Sequence, residues 1–379
     1  MADSTSPKSL RVLVLSKRQY MSRDLLDDRY GRFRELPLAL SSLGVEVRGL
    51  CLSYRSRPEI SVTDENETGR VAWTSRNLWH VLPFGKASYW RTVDQIGKEF
   101  QPEVVWACSD VPHAALGVAV AKRLGAKLVI DLYDNFEGYP LARVPGVNFV
   151  LRQAIQEADG VTCISRPLLT KVRSDYKYSG KLAVIENAIP TGVFVQQPKA
   201  MCRAHFGLPK QGIFIGTAGA LSRGRGTEVL FEAFLNLAKE RDDVHLVLAG
   251  PMDKDISAPK HERVHYLGLL AAERVPMLLS TLDISVICNL DSPFGRYCFP
   301  QKLYESLSVG LPVVVARVGA MAELLRDWPD NLYEPGDVGS LTDRLRRLSQ
   351  YPRTPKLEVP TWDMLAGSLL PFFTACSRE

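Results

Sequence analysis

Short apolar, β-branched runs alternate with amphipathic stretches along most of this sequence, and nothing else in it restricts the fold so strongly. The first series comprises RVLVLS (11–16), VEVRGLCL (45–52), VAWTS (71–75), PEVVWACS (102–109), KLVIDLYD (127–134), GVTCIS (160–165) and KLAVIENA (181–188). Continuous apolar runs of this length suit strands buried on both faces, and the helical patterns between them suit right-handed βαβ crossovers. The segment PEISVTDENETGR is polar and reads as a surface loop. Around 190–211 the alternation stops, then restarts with GIFIGTAGAL (212–221), VHLVLAG (244–250), VHYLG (264–268), DISVIC (283–288) and LPVVVA (311–316). At 379 residues the chain exceeds one ordinary core. The expected fold is therefore α/β, with two Rossmann-like domains whose parallel sheets face each other across a cleft. The expected boundaries are 1–190 for the N-terminal domain, 191–211 for a linker and 212–355 for the C-terminal domain. Residues 356–379 are expected as a helix crossing back to the first domain.

Charge and cysteine content narrow the partners. A net charge of +5 permits an anionic ligand without concentrating a basic face, and no nucleic-acid module is evident. The seven cysteines are scattered, with no CxxC pair, and are expected as reduced thiols. MADSTSPKS lacks an apolar signal core and no run is long enough to span a bilayer, so a cytoplasmic protein is expected.

The chemistry concentrates in two places in the second half. From Phe294 to Ala316 the sequence FGRYCFPQKLYESLSVGLPVVVA reads as loop, helix and buried strand. Pro300 suits the first helical turn and Gly310 a left-handed stop. Leu303 and Leu307 face a core, while Lys302 and Glu305, three apart, share the accessible face. A lysine and a glutamate there suit a ligand carrying phosphates and hydroxyls. The second place is GALSRGRG (219–226), where glycines let an anion approach the backbone and Arg223 and Arg225 add positive charge. It matches neither GxGxxG nor a Walker loop.

In their order, GALSRGRGTEVLFEAF, VHLVLAGP, VHYLGLLAAERVPMLLSTLDISVI and KLYESLSVGLPVVVARVGAMAELL resemble the C-terminal domain of retaining, family 4 glycosyltransferases of the GT-B fold. KLVIDLYD, GVTCISRPLLTKV and VIENAI resemble the N-terminal half of that family, and TWDMLA its closing segment. The resemblance implies a metal-independent hexosyltransferase moving a sugar from a UDP- or GDP-sugar to a glycan or lipid-linked acceptor. It places Arg225 and Arg223 on the donor diphosphate and Glu305 on the ribose hydroxyls. Gly219, Pro300, Lys302 and Leu303 join them as expected donor contacts, with Arg225, Lys302 and Glu305 expected to carry catalysis. Arginines, lysines and helix N-termini are what a metal-free site needs to stabilise a leaving nucleoside diphosphate. Work on a lipid-linked acceptor in bacterial surface polysaccharide or glycolipid synthesis implies a position at the inner face of the membrane.

Departures from the family pattern are equally legible. Cys298 stands where the family often has a first glutamate, seven residues before Glu305, and Ala220 where it has an arginine. DDRYGRF replaces its glycine pair after the first strand, and Tyr133 stands where many members keep a histidine. On the acceptor side, Gly31 and Arg32 in the loop after strand one, and Asp131 and Asp134 at the end of KLVIDLYD, are the candidates, with Arg29 weighed beside them. His113 is expected to be a structural helix-start residue. The aromatic and basic stretch of Trp79, Phe84, Lys86, Tyr89, Trp90 and Arg91 is open to three readings: an anionic membrane surface, acceptor sugars, or a domain core with a basic rim. Two other activities fit the same architecture. One is a non-catalytic nucleotide- or sugar-binding relative; the other is a sugar-nucleotide epimerase.

Overall fold

A computed structural model describes residues 9–20, 23–29, 31–78 and 86–378, with the side chains of Tyr20, Lys86 and Ala87 left aside. The chain divides into two compact units, one made of residues up to Asn187 together with those from Trp362 onward, the other Ala188–Thr361.

The first unit is built on β1 (Arg11–Lys17), with a small antiparallel hairpin of β2 (Gln19–Tyr20) and β3 (Arg23–Asp24) after it. Seven further strands complete its sheet: β4 (Glu46–Ser53), β5 (Ser61–Glu65), β6 (Arg70–Asn77), β7 (Val104–Ala107), β8 (Lys127–Leu132), β9 (Gly160–Cys163) and β10 (Lys181–Val184). Their order is β10-β9-β8-β7-β1-β4-β6-β5, with every pair parallel except β5 and β6. Strand β1 thus has β4 on one side and β7 on the other. The chain reverses direction across the sheet there, and a crevice opens beyond the carboxyl ends of such strands. Helices α1 (Arg32–Ser42), α2 (Lys86–Phe100), α3 (Val111–Leu124), α4 (Val147–Gln156) and α5 (Arg166–Ser174) make the crossovers. Helix α3 has Asp110 accepting from the His113 N–H at 3.1 Å and ends at Gly125 in the left-handed region. Helix α5 is capped by Ser165.

Strand β5 corrects the reading of residues 58–70 as a loop. Its sequence SVTDE is polar because it lies at the sheet edge, where little is buried, and Asp64 is held by a 2.7 Å ion pair to Arg34.

The second unit carries six parallel strands in the order β13-β12-β11-β14-β15-β16. They are β11 (Ile213–Ala218), β12 (Val244–Ala249), β13 (Val264–Tyr266), β14 (Ile284–Ile287), β15 (Val313–Ala316) and β16 (Leu332–Tyr333). Helices α6 (Lys199–His205), α7 (Thr227–Glu240), α8 (Val275–Leu279), α9 (Pro293–Tyr297), α10 (Lys302–Ser308), α11 (Gly319–Leu324) and α12 (Val338–Gln350) accompany them. One core joins α7 and α12 to one face of this sheet, and a smaller cluster around Phe214, Leu279 and Leu311 fills the other. All four residues of β15, VVVA, are buried, as a strand covered on both faces requires.

Residues 191–211, expected as a linker, pack within this second unit. Cys202 and Leu208 are buried, and Arg203 donates to the Thr281 carbonyl at 3.0 Å and to Asp283 at 2.8 Å. Their mixed composition reflects a short helix held by polar bonds rather than an unattached connection.

Helix α13 (Trp362–Ser377) groups with the first unit, packing on α1 and β8. Phe373 meets Trp106 edge-on at 5.3 Å between ring centroids, and the Cys376 thiol reaches the Asp159 carbonyl at 3.8 Å. Trp362, Ala366, Leu369, Phe373 and Cys376 form its buried side.

Candidate functional site

In the second unit the strand order reverses between β11 and β14, and the residues singled out in the sequence gather beyond the ends of those strands. Gly219 closes β11 at φ +111° and Gly250 closes β12 at φ +126°. Both turns also leave no room for a side chain. A Cβ on Gly250 would fall 2.1 Å from the Gly219 carbonyl oxygen, and one on Gly219 would fall 2.6 Å from Cε and 2.8 Å from Nζ of Lys302. The two glycines therefore let Lys302 lie directly on the backbone where β11 ends.

This contact yields a first prediction. Gly219→Ala adds a methyl group where Lys302 lies and forces a side-chain-bearing residue to φ +111°. Nucleotide affinity measured calorimetrically is expected to fall at least about tenfold, from displacement of the lysine head group by an ångström or more. An unchanged affinity would show that the head group is not needed where it lies.

Arg225 comes from a turn, Arg223–Arg225, between β11 and α7. Its guanidinium carbon lies 4.8 Å from the ring centroid of Phe294 on α9, a cation–π contact that orients the group without neutralising it. Neither Arg225 nor Lys302 has a carboxylate within ion-pair distance among the described residues. Burial pushes Lys302 down to about 8, and the nearby charge of Arg225 pushes the same way. Two unneutralised cations share one crevice.

Glu305 follows on α10, three residues after Lys302. Leu303, Tyr304 and Ser306 turn inward, and the Ser306 hydroxyl donates to Ser285 Oγ at 2.9 Å. Burial pushes Glu305 up to about 7, with the charge of Lys302 only partly offsetting it. Both side chains keep an edge open to solvent, yet protein surrounds them closely enough to make their charged forms costly.

The other expected donor contacts are placed differently. Arg223 is 62% exposed and donates to Glu228 at 3.1 Å and to the Asp255 carbonyl at 3.2 Å. Its charge is therefore spent on neighbouring acids. Leu303 is fully buried in the core and its N–H is bonded to the Pro300 carbonyl, so its side chain offers the crevice nothing. Pro300 precedes α10, which begins at Lys302 with Gln301 as its N-cap. Cys298 is buried, and its sulfur accepts from Asn289 Nδ2 at 3.3 Å. The position equivalent to the family's first glutamate is thus turned into the protein.

Sequence reasoning missed Cys288 and Phe294. Burial pushes the Cys288 thiol up to about 11, opposed by the charge of Lys302 beside it. Phe294 stands at the start of the FGRY turn, and an aromatic residue there was the available signal.

In the first unit, two of the acceptor-side candidates neutralise each other. Arg32 donates from Nε and from one terminal nitrogen to the two Asp131 oxygens, each at 2.9 Å, and from its other terminal nitrogen to the Glu186 carbonyl at 2.6 Å. Thr162 donates to Asp131 at 2.6 Å, and both charged side chains are buried. This pair is structural, because a charge that leaves water needs a partner at this range. Gly31 is the N-cap of α1 at φ +88°, and Arg29 sits at φ +47° just before it.

Asp134 belongs to a polar cluster that the sequence did not reveal as one, beyond the ends of β1, β4, β7 and β8. It accepts from the Asn135 N–H at 2.7 Å and from the Tyr139 hydroxyl at 3.2 Å. The Tyr139 and Tyr133 hydroxyl oxygens also lie 2.8 Å apart, and Lys17 lies 3.4 Å from the Tyr133 oxygen and 5.8 Å from both ring centroids. On the far side, Tyr54 donates to Asp110 at 2.9 Å, and His113 Nδ1 sits 2.6 Å from Asp110. Burial pushes Lys17 down, partly countered by Asp110 and Asp134. Burial alone would raise Asp110, but His113, Lys17 and Tyr54 hold it below the usual carboxylate range. His113, expected as a structural helix-start residue, is buried within this network, with no hydrogen-bond partner for Nε2 among the described residues. Lys17 was hidden because it ends an apolar run and reads as the start of a polar loop.

Of the aromatic stretch, Trp79, Phe84 and the side chain of Lys86 lie outside the described residues. Tyr89 is buried, and Trp90 stacks under Arg123 with its guanidinium carbon 5.5 Å from the ring centroid.

Comparison with known proteins covers both units. Residues 212–350 match the family model described as "Glycosyl transferases group 1", and residues 32–193 match "Glycosyltransferase Family 4". Among curated relatives, an alpha-monoglucosyldiacylglycerol synthase of Streptococcus pneumoniae is 22% identical over 58% of this chain and 53% of its own length. An N-acetyl-alpha-D-glucosaminyl L-malate synthase of Bacillus anthracis is 21% identical over 63% of each. The chain thus spans between half and two thirds of these relatives. Solved structures share the fold across 97% of this chain. A sucrose-phosphate synthase from Thermosynechococcus elongatus gives a TM-score of 0.69 at 15% identity, covering 96% of that protein. Anabaena HepE in complex with UDP gives 0.64 at 15%, covering 98%.

Proposed function

The chain belongs to the group 1, family 4 glycosyltransferases of GT-B fold, and from that premise we propose that it transfers a hexosyl group from a nucleotide sugar to a hydroxyl acceptor, with retention at the anomeric carbon. The observation that carries this reading is the pair of unneutralised cations, Arg225 and Lys302, held beside Gly219 where the strand order reverses, with Glu305 one turn further on. A departing nucleoside diphosphate gains negative charge as the glycosidic bond breaks, and fixed cations stabilise that charge without rearranging. Arg225 and Lys302 take the diphosphate, and no metal is assigned to this step. Glu305 accepts hydrogen bonds from the ribose hydroxyls. No protein nucleophile is assigned; leaving-group stabilisation and positioning carry the barrier reduction.

On the first unit, the Lys17, Tyr133, Tyr139 and Asp134 cluster holds the acceptor hydroxyl, in place of the Arg32 and Asp131 pair, which is already committed. Relatives named as a glucosyldiacylglycerol synthase and a phosphatidylinositol monomannoside mannosyltransferase support a lipid-linked or glycan acceptor in bacterial glycolipid or surface polysaccharide synthesis. Such acceptors are met at the inner face of the membrane.

The test is calorimetric titration with UDP, GDP and ADP in the presence of a chelator, followed by incubation of the matching sugar nucleotide with and without acceptors. Binding of one nucleotide, with sugar transferred only when acceptor is present, is expected. No binding by the folded protein sinks the reading. Conversion of the donor sugar without acceptor would make the protein an epimerase. Binding without turnover would make it a non-catalytic relative, a reading that Cys298, turned into the protein, favours over the epimerase.

The ionisation of the site adds a pH prediction. Glu305 serves the ribose only when ionised, so binding is lost as pH falls through about 7. Lys302 serves the diphosphate only when protonated, so binding is lost as pH rises through about 8. Affinity for UDP-glucose or GDP-mannose, whichever is the better ligand, is expected to peak between those values. Each limb should fall by up to about tenfold per pH unit. A flat profile from pH 6 to 9 would remove both groups from the binding step.

A further inference from the structure

Among the described residues, thirteen large apolar side chains are exposed, and four of them crowd into the ten residues from Leu141 to Val150. Leu141 is 45% exposed, Val144 51%, Phe149 65% and Val150 42%. Leu141 belongs to a short turn, Pro140–Arg143, and Phe149 and Val150 to the first turns of α4. They are not stray core residues, since α4 already buries Leu151, Ala154 and Ile155 on its other side.

Charge tells what covers them. From Gly138 to Gln156 the sequence GYPLARVPGVNFVLRQAIQ contains two arginines and no acid. Arg143 is exposed and makes no ion pair among the described residues. Arg152 is half exposed and paired with Glu137 at 3.0 Å. A projecting aromatic ring and three aliphatic side chains, beside an arginine with no acid to satisfy it, match the boundary between acyl chains and anionic headgroups. A protein partner of ordinary composition would be met by mixed charge.

We propose that the surface formed by Leu141, Arg143, Val144, Phe149 and Val150 docks this protein on an anionic lipid bilayer. The membrane surface is thus assigned to α4 and the turn before it. The segment is rooted in the polar cluster, because Tyr139, two residues before Leu141, shares its hydroxyl with Tyr133 and Asp134. Docking there presents lipid headgroups next to that cluster, and for this detail alone the inference rests on the acceptor reading above. No helix among the described residues is long and apolar enough to cross a membrane.

The experiment is co-sedimentation of the full chain with vesicles of phosphatidylglycerol and phosphatidylcholine, against phosphatidylcholine alone, at low and high salt. The chain is expected to sediment with the anionic vesicles and to be released by salt. Phe149→Asp combined with Val150→Asp should cut the bound fraction at limiting lipid about tenfold or more, and Arg143→Glu should cut it severalfold with a weaker salt dependence. Nucleotide titration of each variant reports folding and is expected to match the parent. Failure of the parent to sediment, or equal sedimentation of the double variant, overturns the proposal. So does a concentration-dependent dimer in light scattering that the double variant abolishes, which would make the surface a protein interface. Loss of nucleotide binding by the parent would sink the transferase reading and leave the vesicle result standing.

Discussion

Glu305→Ala is expected to lower donor kcat/KM by about 100- to 10,000-fold, as the loss of two hydrogen bonds to a charged acceptor, each about 1.5–3 kcal/mol, would do. The same substitution should leave thermal stability unchanged near pH 4 and raise it at pH 8. The sign follows from the direction of the shift. The folded-state value of Glu305 is raised to about 7, so its contribution to stability is present below the unfolded carboxylate range and is lost as pH rises through 7. Removing the carboxyl group removes that penalty. Activity and stability moving in opposite directions identify a group kept for its ligand. If both fall together, Glu305 is a structural residue, and if kcat/KM is unchanged, the ribose has no contact with it. Glu305→Gln separates charge from shape: it keeps the side-chain length, removes the titration and should abolish the acidic limb of the pH profile.

Asp131→Ala is expected to cost about 3–5 kcal/mol of stability, because it leaves the Arg32 guanidinium buried without its carboxylate. Urea unfolding with the midpoint and slope fitted together checks this. The double substitution Arg32→Leu with Asp131→Leu should cost much less than either single change. Burying no charge there is cheaper than burying one unpaired, although the bonds to Thr162 and the Glu186 carbonyl are lost as well. A cost near zero for Asp131→Ala would mean the pair is not the anchor its geometry indicates, and would return both residues to the acceptor side.

These two residues also mark how far the sequence could be read. Glu305 was legible because its neighbours in the chain are its neighbours in the site: Lys302 and Glu305 sit on one helix face, and Pro300 and Gly310 frame that helix. The fold was legible for a similar reason, since alternating apolar runs report burial locally. Arg32 and Asp131 were not legible as partners, because a sequence separation of 99 hides a contact made only when β8 is set beside α1. Strand β5 escaped for another reason: an edge strand buries so little that its composition is that of a loop. Lys17, Asp110, Tyr133 and Tyr139 each stand at the end of a strand or in the loop after it, and only the strand order reveals that those ends converge.

The place of α13 has a consequence for how the protein is made. A ribosome delivers residues 9–187 first, but the side of that unit against which Phe373 rests on Trp106 stays bare until residues 362–377 emerge. The second unit, Ala188–Thr361, is continuous and has every strand of its sheet in hand before then. The order of synthesis is therefore the reverse of the order of completion: the later half can finish folding while the earlier half waits, with apolar surface open to chaperones, for a helix encoded after its neighbour.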